Sequence, residues 1–145
     1  MTPRSGLAAA IAATLFTLAL PAAAQQPPAP TTVERTAQGP SAKDIRIGVY
    51  LNVLPDCTTG TLPAIRLVAP PANGTVNVKR GKVSATNYKQ CMALEVPGFI
   101  AFYRSKADFV GTDVILLEVK YPQGRTEMQR ITVKVGGTGP GGRNI

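Results

Sequence analysis

The sequence predicts an all-β protein folded as a sandwich of two antiparallel sheets. Apolar and polar residues alternate over several short segments, which is the pattern of half-buried strands. Pro, Gly and Asn lie between these segments, where the chain must turn. The chain has no convincing long helix, and about seven short strands in a folded region of about 90 residues are typical of a two-sheet sandwich. A small open barrel is the alternative.

The first two strands are predicted on either side of a turn-rich loop. Residues 45–53 alternate most regularly, and residues 65–69 form a second strand that ends at Pro70-Pro71. The loop over residues 54–60 contains Pro and Gly, which supply turn dihedrals. One face of the first strand is predicted to hold Ile45, Ile47, Val49, Leu51 and Val53, and the other Arg46, Gly48, Tyr50 and Asn52.

A hairpin is predicted next along the chain. Asn73-Gly74 gives a turn signal, after which apolar residues recur over residues 76–78 and 83–85. Arg80-Gly81 lies between these two segments and is predicted to turn the chain back on itself. Residues 87–95 could hold a short helical turn, and Cys91 lies there, outside the predicted strands.

Three further strands complete the prediction. They cover residues 99–103, residues 114–121 and the segment that ends with Ile131, Val133 and Val135. Pro122-Gln123-Gly124-Arg125 has the composition of a hairpin turn between the last two.

Residues 1–24 have the layout of a secretory signal peptide. Arg4 gives a positive start, an apolar run covers residues 7–20, and Ala22-Ala23-Ala24 supplies the small residues of a cleavage site. The alternative is an uncleaved membrane anchor, for which about 18 residues are at the short end. The segment therefore predicts export to the periplasm or secretion, with no transmembrane segment after cleavage.

The rest of the chain is predicted to be one domain with an extension at each end. Residues 25–43 contain several Pro and no hydrophobic period, so they are predicted to form a disordered linker. Residues 136–145 are rich in Gly and are predicted to form a flexible tail. The β-sandwich domain is accordingly assigned to residues 44–135.

Cys57 and Cys91 are the only cysteines, and they are predicted to form one disulfide. An exported chain meets an oxidising compartment, where such bonds persist. The alternatives are a redox-active pair or metal ligands. The separation differs from the Cys-x-x-Cys spacing that lowers a thiol pKa, and the chain has no His to complete a zinc site.

Residues 70–135 contain the element Phe109-Val110-Gly111-Thr112-Asp113. This segment resembles the bacterial cadherin-like or immunoglobulin-like repeats of secreted and surface proteins, and the element is the most specific part of the resemblance. The resemblance implies an immunoglobulin-like sandwich in which Phe109 plugs one end, Gly111 permits a positive φ or close packing, and Asp113 bonds loop amides. The family usually occurs as tandem copies, whereas one copy is present here.

The residue types present disfavour most enzymes. With no His, the chain lacks the usual general base and the commonest metal ligand. Asp108 and Asp113 could form a glycosidase-like pair, but catalytic carboxylates normally line a long cleft. Together with Glu118 they are also the candidates for a calcium site, which needs several oxygen ligands. Loop-capping roles are favoured for both aspartates, so the sequence predicts neither an enzyme nor a bound metal or cofactor.

Basic residues are the remaining candidates for a function. The chain carries 16 Lys and Arg against 8 Asp and Glu. If the basic loops converge, they would make an electropositive end for an anionic partner. The alternative is that these charges keep hairpin tips solvated and discourage aggregation. The candidate residues are Lys79, Arg80 and Lys82 at the predicted hairpin tip, Lys89 nearby, and Arg104 and Lys106 in a second loop.

The sequence thus predicts an exported, non-catalytic β-sandwich that binds an unknown protein or an anionic glycan of the bacterial envelope. Nucleic acid is a less favoured partner, because no alternation of aromatic and basic residues indicates base stacking. The alternative function is a small inhibitor or regulator of an envelope enzyme that uses residues 104–110 as a plug.

Overall fold

The computed structural model describes residues 24–26, 29–85, 91 and 94–136. The predicted signal peptide up to Ala23, the candidate binding residue Lys89, and the predicted tail beyond Gly136 lie outside the described residues. The possible helical turn at residues 87–95 is also mostly outside them. Within the described part, no helix is long and apolar enough to cross a bilayer.

Seven strands form two sheets packed as a sandwich, which confirms the predicted fold class. One sheet, here called sheet A, has the strand order β1-β7-β6-β3, and the other, sheet B, has the order β2-β5-β4. The strands are β1 (Thr31–Gly39), β2 (Ile45–Tyr50), β3 (Ala64–Ala69), β4 (Gly74–Ala85), β5 (Leu94–Ser105), β6 (Gly111–Lys120) and β7 (Thr126–Val135).

Part of the segment that was predicted to be a disordered linker forms strand β1. Thr31–Gly39 lies in the segment assigned to a disordered lead-in, yet it pairs in parallel with β7 from Thr31↔Glu127 to Gly39↔Val135. It is the only parallel pairing among the described strands. Most of its side chains are exposed, so its sequence carries no apolar period. The backbone ladder with β7 holds the strand, and the domain therefore begins at β1 rather than at Asp44.

Strand β2 contains a bulge that reverses its predicted alternation. Its register with β5 shifts between Arg46 and Gly48, so the residues after the bulge exchange faces. Tyr50 consequently points into the core and is only 2 % exposed, where the sequence predicted it on the opposite face. Val49 is only partly buried. The Tyr50 side chain lies close to the backbone of residue 48. This explains why position 48 is glycine, because a Cβ there would overlap the Tyr50 hydroxyl oxygen.

The predicted hairpin turn at Arg80-Gly81 is wrong. Strand β4 runs without interruption through this dipeptide, and Gly81 pairs directly with Gly98 of β5. Residues 83–85 continue the same ladder instead of returning as a second arm. The apolar residues on both sides of Arg80-Gly81 therefore belong to one long strand at the edge of sheet B. The turn predicted at residues 122–125 does connect β6 to β7, with Gly124 at a φ of 86°.

The core lies between the sheets, and a buried polar contact within it joins them. Tyr50 of sheet B donates a hydrogen bond of 2.6 Å to Gln129 Oε1 of sheet A. Burial raises the pKa of Tyr50 to about 12, so its hydroxyl keeps the proton that it donates. Gln129 in turn donates to Glu127. The core residues are Ile45, Ile47, Tyr50, Ala101, Tyr103, Ile115, Leu117, Val119, Ile131, Val133 and Val135.

The disulfide between Cys57 and Cys91 is present, as predicted. It joins the loop after β2 to the connection between β4 and β5. Cys91 is buried in a second, smaller apolar cluster with Val53, Ala85 and Val96. The covalent bond therefore holds the loop at the end of the sandwich where the main core does not reach.

Candidate binding surfaces

Asp113 organises the corner where the chain crosses from sheet A to sheet B. Its carboxylate accepts hydrogen bonds from the Ala72 and Asn73 amides at 2.9 and 2.8 Å and from the Tyr103 hydroxyl at 3.0 Å. The amide of Val114 donates a fourth bond. Burial alone would raise the pKa of Asp113, but these donors outweigh it and hold the pKa below its usual range. All four donors belong to the domain itself, so Asp113 has a structural role.

The neighbouring loop residues also have scaffold positions. Phe109 is partly buried against the main core, and Gly111 has a φ of 148°, a conformation that a side chain would disfavour. Asp108 is exposed in the same loop. Glu118, the third candidate calcium ligand, lies on β6 and pairs with Arg66 at 3.1 Å and with Lys120 at 3.5 Å. The described residues contain no group of three or more His, Cys, Asp and Glu side chains placed to hold a metal ion.

The outer face of sheet B brings two of the predicted basic residues together. Asp44, just before β2, accepts a hydrogen bond of 2.8 Å from Arg104 Nε, and its other carboxylate oxygen is 3.6 Å from Lys79 Nζ. The Lys79 ammonium also lies 5.2 Å from the centroid of the Phe102 ring. Thr75 and Asn77 complete a shallow depression of about 330 Å³ around these groups.

A third cation belongs to the same face. Arg46 on β2 and Asn77 on β4 are the direct cross-strand neighbours of Phe102, so all three project from one side of the sheet. This side of the sheet therefore has three cations, which belong to Lys79, Arg104 and Arg46, and one carboxylate, which belongs to Asp44. The hydrogen bond from Arg104 and the nearby ammonium of Lys79 hold the pKa of Asp44 below its usual range, so it is ionised at neutral pH. We call Asp44, Arg46, Lys79, Phe102 and Arg104 the sheet B face; it keeps a net positive charge.

The other predicted basic residues that the structure describes do not join this face. Arg80 and Lys82 alternate with Lys79 along β4, so they project from the opposite side of sheet B. Lys106 follows β5 and is exposed beside the Asp113 corner. The five candidates that the structure describes therefore do not converge as one electropositive end. The strand pairing divides them because Lys79 and Arg80 are neighbours on a strand rather than at a hairpin tip.

Arg80 lines a groove on the open side of the sandwich. The groove has a volume of about 750 Å³ and lies between the edge strands β3 and β4. At the opposite side of the sandwich, β1 and β2 approach each other closely. The groove is walled by Thr59, Gly60, Thr61, Leu62, Pro63, Ala64, Ile65, Val78, Arg80, Pro97 and Phe99. Arg80 is thus the one charged residue among the described residues of this largely apolar wall.

Sequence reasoning missed Arg46, Asp44 and Phe102 as members of a surface. Arg46 and Asp44 were separated from Lys79 by more than 30 residues, and only the pairing of β2 and β4 with β5 makes them neighbours. The alternation of β5 could have shown that Phe102 and Arg104 share a face. It could not have shown which strands flank β5.

No protein-family model, curated protein or solved structure matches the chain. The resemblance to cadherin-like or immunoglobulin-like repeats therefore stays a prediction. The function has to be inferred from the two surfaces that the fold presents.

Proposed function

We propose that the protein is an exported, non-catalytic binding module of the bacterial envelope and that it recognises an anionic partner through the sheet B face. The observation that carries the proposal is the grouping of Lys79, Arg104 and Arg46 around Phe102 with one carboxylate between them. A depression in which an ammonium lies over an aromatic ring beside a guanidinium offers charge pairing and an apolar contact to the same ligand.

Export is supported by the composition of residues 1–24 and by the disulfide. Disulfides persist in oxidising compartments and are rare in the cytosol. The described residues that line the groove include no Asp or Glu, and Asp113, one of the two acidic residues considered for catalysis, is hydrogen-bonded within the corner between the sheets. These observations favour binding over catalysis.

Asp44 acts in this proposal as an internal counterion. It holds the Arg104 guanidinium and the Lys79 ammonium near Phe102 when no ligand is bound. A phosphate or carboxylate of the partner would compete with Asp44 for the same donors. Because the pairs are exposed, each contributes little to stability, so their exchange for a ligand costs little.

Charge reversal on the sheet B face tests the proposal. The mature chain is passed over immobilised lipopolysaccharide, which carries phosphates, and over immobilised polygalacturonate, which carries carboxylates. We expect retention on at least one at low salt and release at high salt, because exposed charges are screened beyond about 8–10 Å at physiological ionic strength. The double variant Lys79→Glu/Arg104→Glu is expected to bind at least about tenfold more weakly, since it replaces both donors by repulsive charges.

A matched control separates a specific face from overall charge. Arg130→Glu/Lys134→Glu makes the same change in net charge on exposed positions of β7, in sheet A. Thermal unfolding checks that both variants fold. Equal losses for the two double variants, or retention of neither polymer by the wild-type chain, would contradict the proposal.

The loop between β5 and β6 supports a second candidate function, that of an inhibitor of an envelope enzyme. Val110 is 69 % exposed in this loop, although Phe109 beside it is partly buried and packs against the core. The Lys106 amide also donates to Asn73 at 2.8 Å, so an apolar side chain is presented from a fixed loop. Identification of what co-purifies with the mature chain distinguishes the two candidates, because a hydrolase would favour inhibition and an anionic glycan would favour the sheet B face.

A further inference from the structure

We infer that the groove between β3 and β4 binds an extended, acidic segment of a partner protein, which adds to sheet B as a strand beside β4. This surface lies on the opposite side of sheet B from the Lys79 and Arg104 pair. The inference therefore stands independently of the proposed sheet B face.

Strand β4 offers a long backbone edge for such an addition. It pairs over its 12 residues with β5 and has no other strand beside it among those described. Its unpaired backbone groups are the template on which an extended peptide adds to a sheet. Strand β3, the other border of the groove, has 6 residues, a register shift after Leu67, and Pro70-Pro71 directly behind it. It is the poorer template, because short strands, bulges and prolines protect an edge.

The groove beside β4 also leaves apolar side chains uncovered. Val78 points from β4 toward the other sheet, as its partner Ala101 in the core does, yet Val78 is 39 % exposed. Phe99 and Pro97 continue this wall, and Ile65 lies across the groove on β3. A strand added at the edge of β4 would cover Val78 and fill the space toward Ile65. Burial of this apolar surface favours binding and offsets part of the cost of ordering the peptide.

Arg80 determines the charge of the occupant. It projects from the same side of β4 as Val78, two residues further along, and lines the groove. All eight acidic residues of the chain lie in the part that the structure describes, and none is within 4.0 Å of the Arg80 guanidinium. A partner segment with an apolar residue opposite Val78 and a carboxylate opposite Arg80 would supply the missing anion. The guanidinium binds a carboxylate with two parallel hydrogen bonds.

The segments outside the described residues carry no acidic side chain that could pair with Arg80. Residues 1–23, 27–28, 86–90, 92–93 and 137–145 contain neither Asp nor Glu. A second copy paired edge to edge through β4 is disfavoured as well. An antiparallel pairing centred on Gly81 would place Arg80 opposite Lys82 of the other copy, and like charges directly opposite each other are destabilising. The basic residues of β4 therefore oppose self-association and favour an acidic partner.

A labelled peptide tests the inference directly. The probe is a fluorescein-labelled extended peptide with threonine at odd positions and valine and glutamate in turn at even positions, so that valine and glutamate share one face. We expect saturable binding to the mature chain, measured by fluorescence anisotropy, and at least tenfold weaker binding of the same peptide with lysine in place of glutamate. The Arg80→Glu variant should reverse this preference, binding the lysine peptide at least tenfold better than the glutamate peptide.

Hydrogen exchange supplies the evidence for strand addition. On binding, the β4 amides that point to the free edge should exchange at least tenfold more slowly, while the amides paired with β5 change little. Arg130→Glu on β7 is the matched control and should bind like the wild type. The inference is overturned if the glutamate peptide does not bind, if Arg80→Glu leaves the preference unchanged, or if the β4 edge amides are not protected.

Discussion

Replacement of Asp113 by alanine is expected to lower the free energy of unfolding by about 3–5 kcal/mol. The substitution leaves the amides of Ala72 and Asn73 and the hydroxyl of Tyr103 without the acceptor that holds them at 2.8–3.0 Å. Hydrogen bonds to a charged group contribute about 1.5–3 kcal/mol each, and buried donors left without an acceptor carry a desolvation cost. Urea denaturation of the wild type and the variant measures the difference.

Comparison of the wild type with the Asp113→Asn variant tests how the stability contributed by the carboxylate changes with pH. The pKa of Asp113 is lower in the folded protein than in the unfolded chain, so its contribution to stability is present above the unfolded value of about 3.9. That contribution is lost as the pH falls through the folded pKa. We therefore expect the wild type to exceed Asp113→Asn in stability at neutral pH and the difference to shrink below about pH 4. A difference that stays constant between pH 7 and pH 3 would contradict the role given to the carboxylate.

Removal of the disulfide is the second change with a large expected effect. The Cys57→Ala/Cys91→Ala variant should lose about 3–4 kcal/mol of stability, because the bond closes a loop with a sequence separation of 34 residues and so restricts the unfolded chain. Alanine is chosen because Cys91 is 5 % exposed in an apolar cluster, where serine would add a buried hydroxyl group. Urea denaturation of this variant beside the wild type measures the loss.

Reduction of the wild-type protein provides the control for this substitution. Dithiothreitol should lower wild-type stability by a similar amount and leave the double variant unchanged. If the double variant unfolded at the same urea concentration as the oxidised wild type, the bond would not be a stabilising element of the domain.

Much of the fold could be predicted from the sequence because most strands alternate between core and solvent. Ile115, Leu117 and Val119 on β6 and Ile131, Val133 and Val135 on β7 alternate as predicted and are all buried. Such alternation is a property of a single strand and is visible in one sequence. The disulfide was predictable for a similar reason, since two cysteines allow one pairing.

The predictions from sequence were wrong where the conformation of one segment depends on its pairing with another. Strand β1 exposes most of its side chains and is held by the backbone of β7, which leaves no apolar pattern to detect. The bulge in β2 depends on its pairing with β5. At Arg80-Gly81 a local turn signal was outweighed by the continuous ladder between β4 and β5.

The candidate binding surfaces were predictable only in part. Residue type alone identified Lys79 and Arg104 as candidates, and the structure brings both to Asp44. Residue type could not show that Arg80 projects from the opposite side of sheet B or that Arg46 lies beside Phe102, because both facts follow from strand pairing. The groove at Arg80 has no sequence signal, since it arises from the separation of β3 and β4.

The affinity of the Asp44→Asn variant for immobilised lipopolysaccharide or polygalacturonate tests the proposed sheet B face most directly. The substitution removes the internal counterion of Arg104 and Lys79 and keeps the shape of the side chain. If those cations bind the partner, the variant should bind whichever polymer retains the wild type about two- to fivefold more tightly, as expected for release of an exposed ion pair. Unchanged or weaker binding by Asp44→Asn would contradict the assignment of this face to an anionic partner.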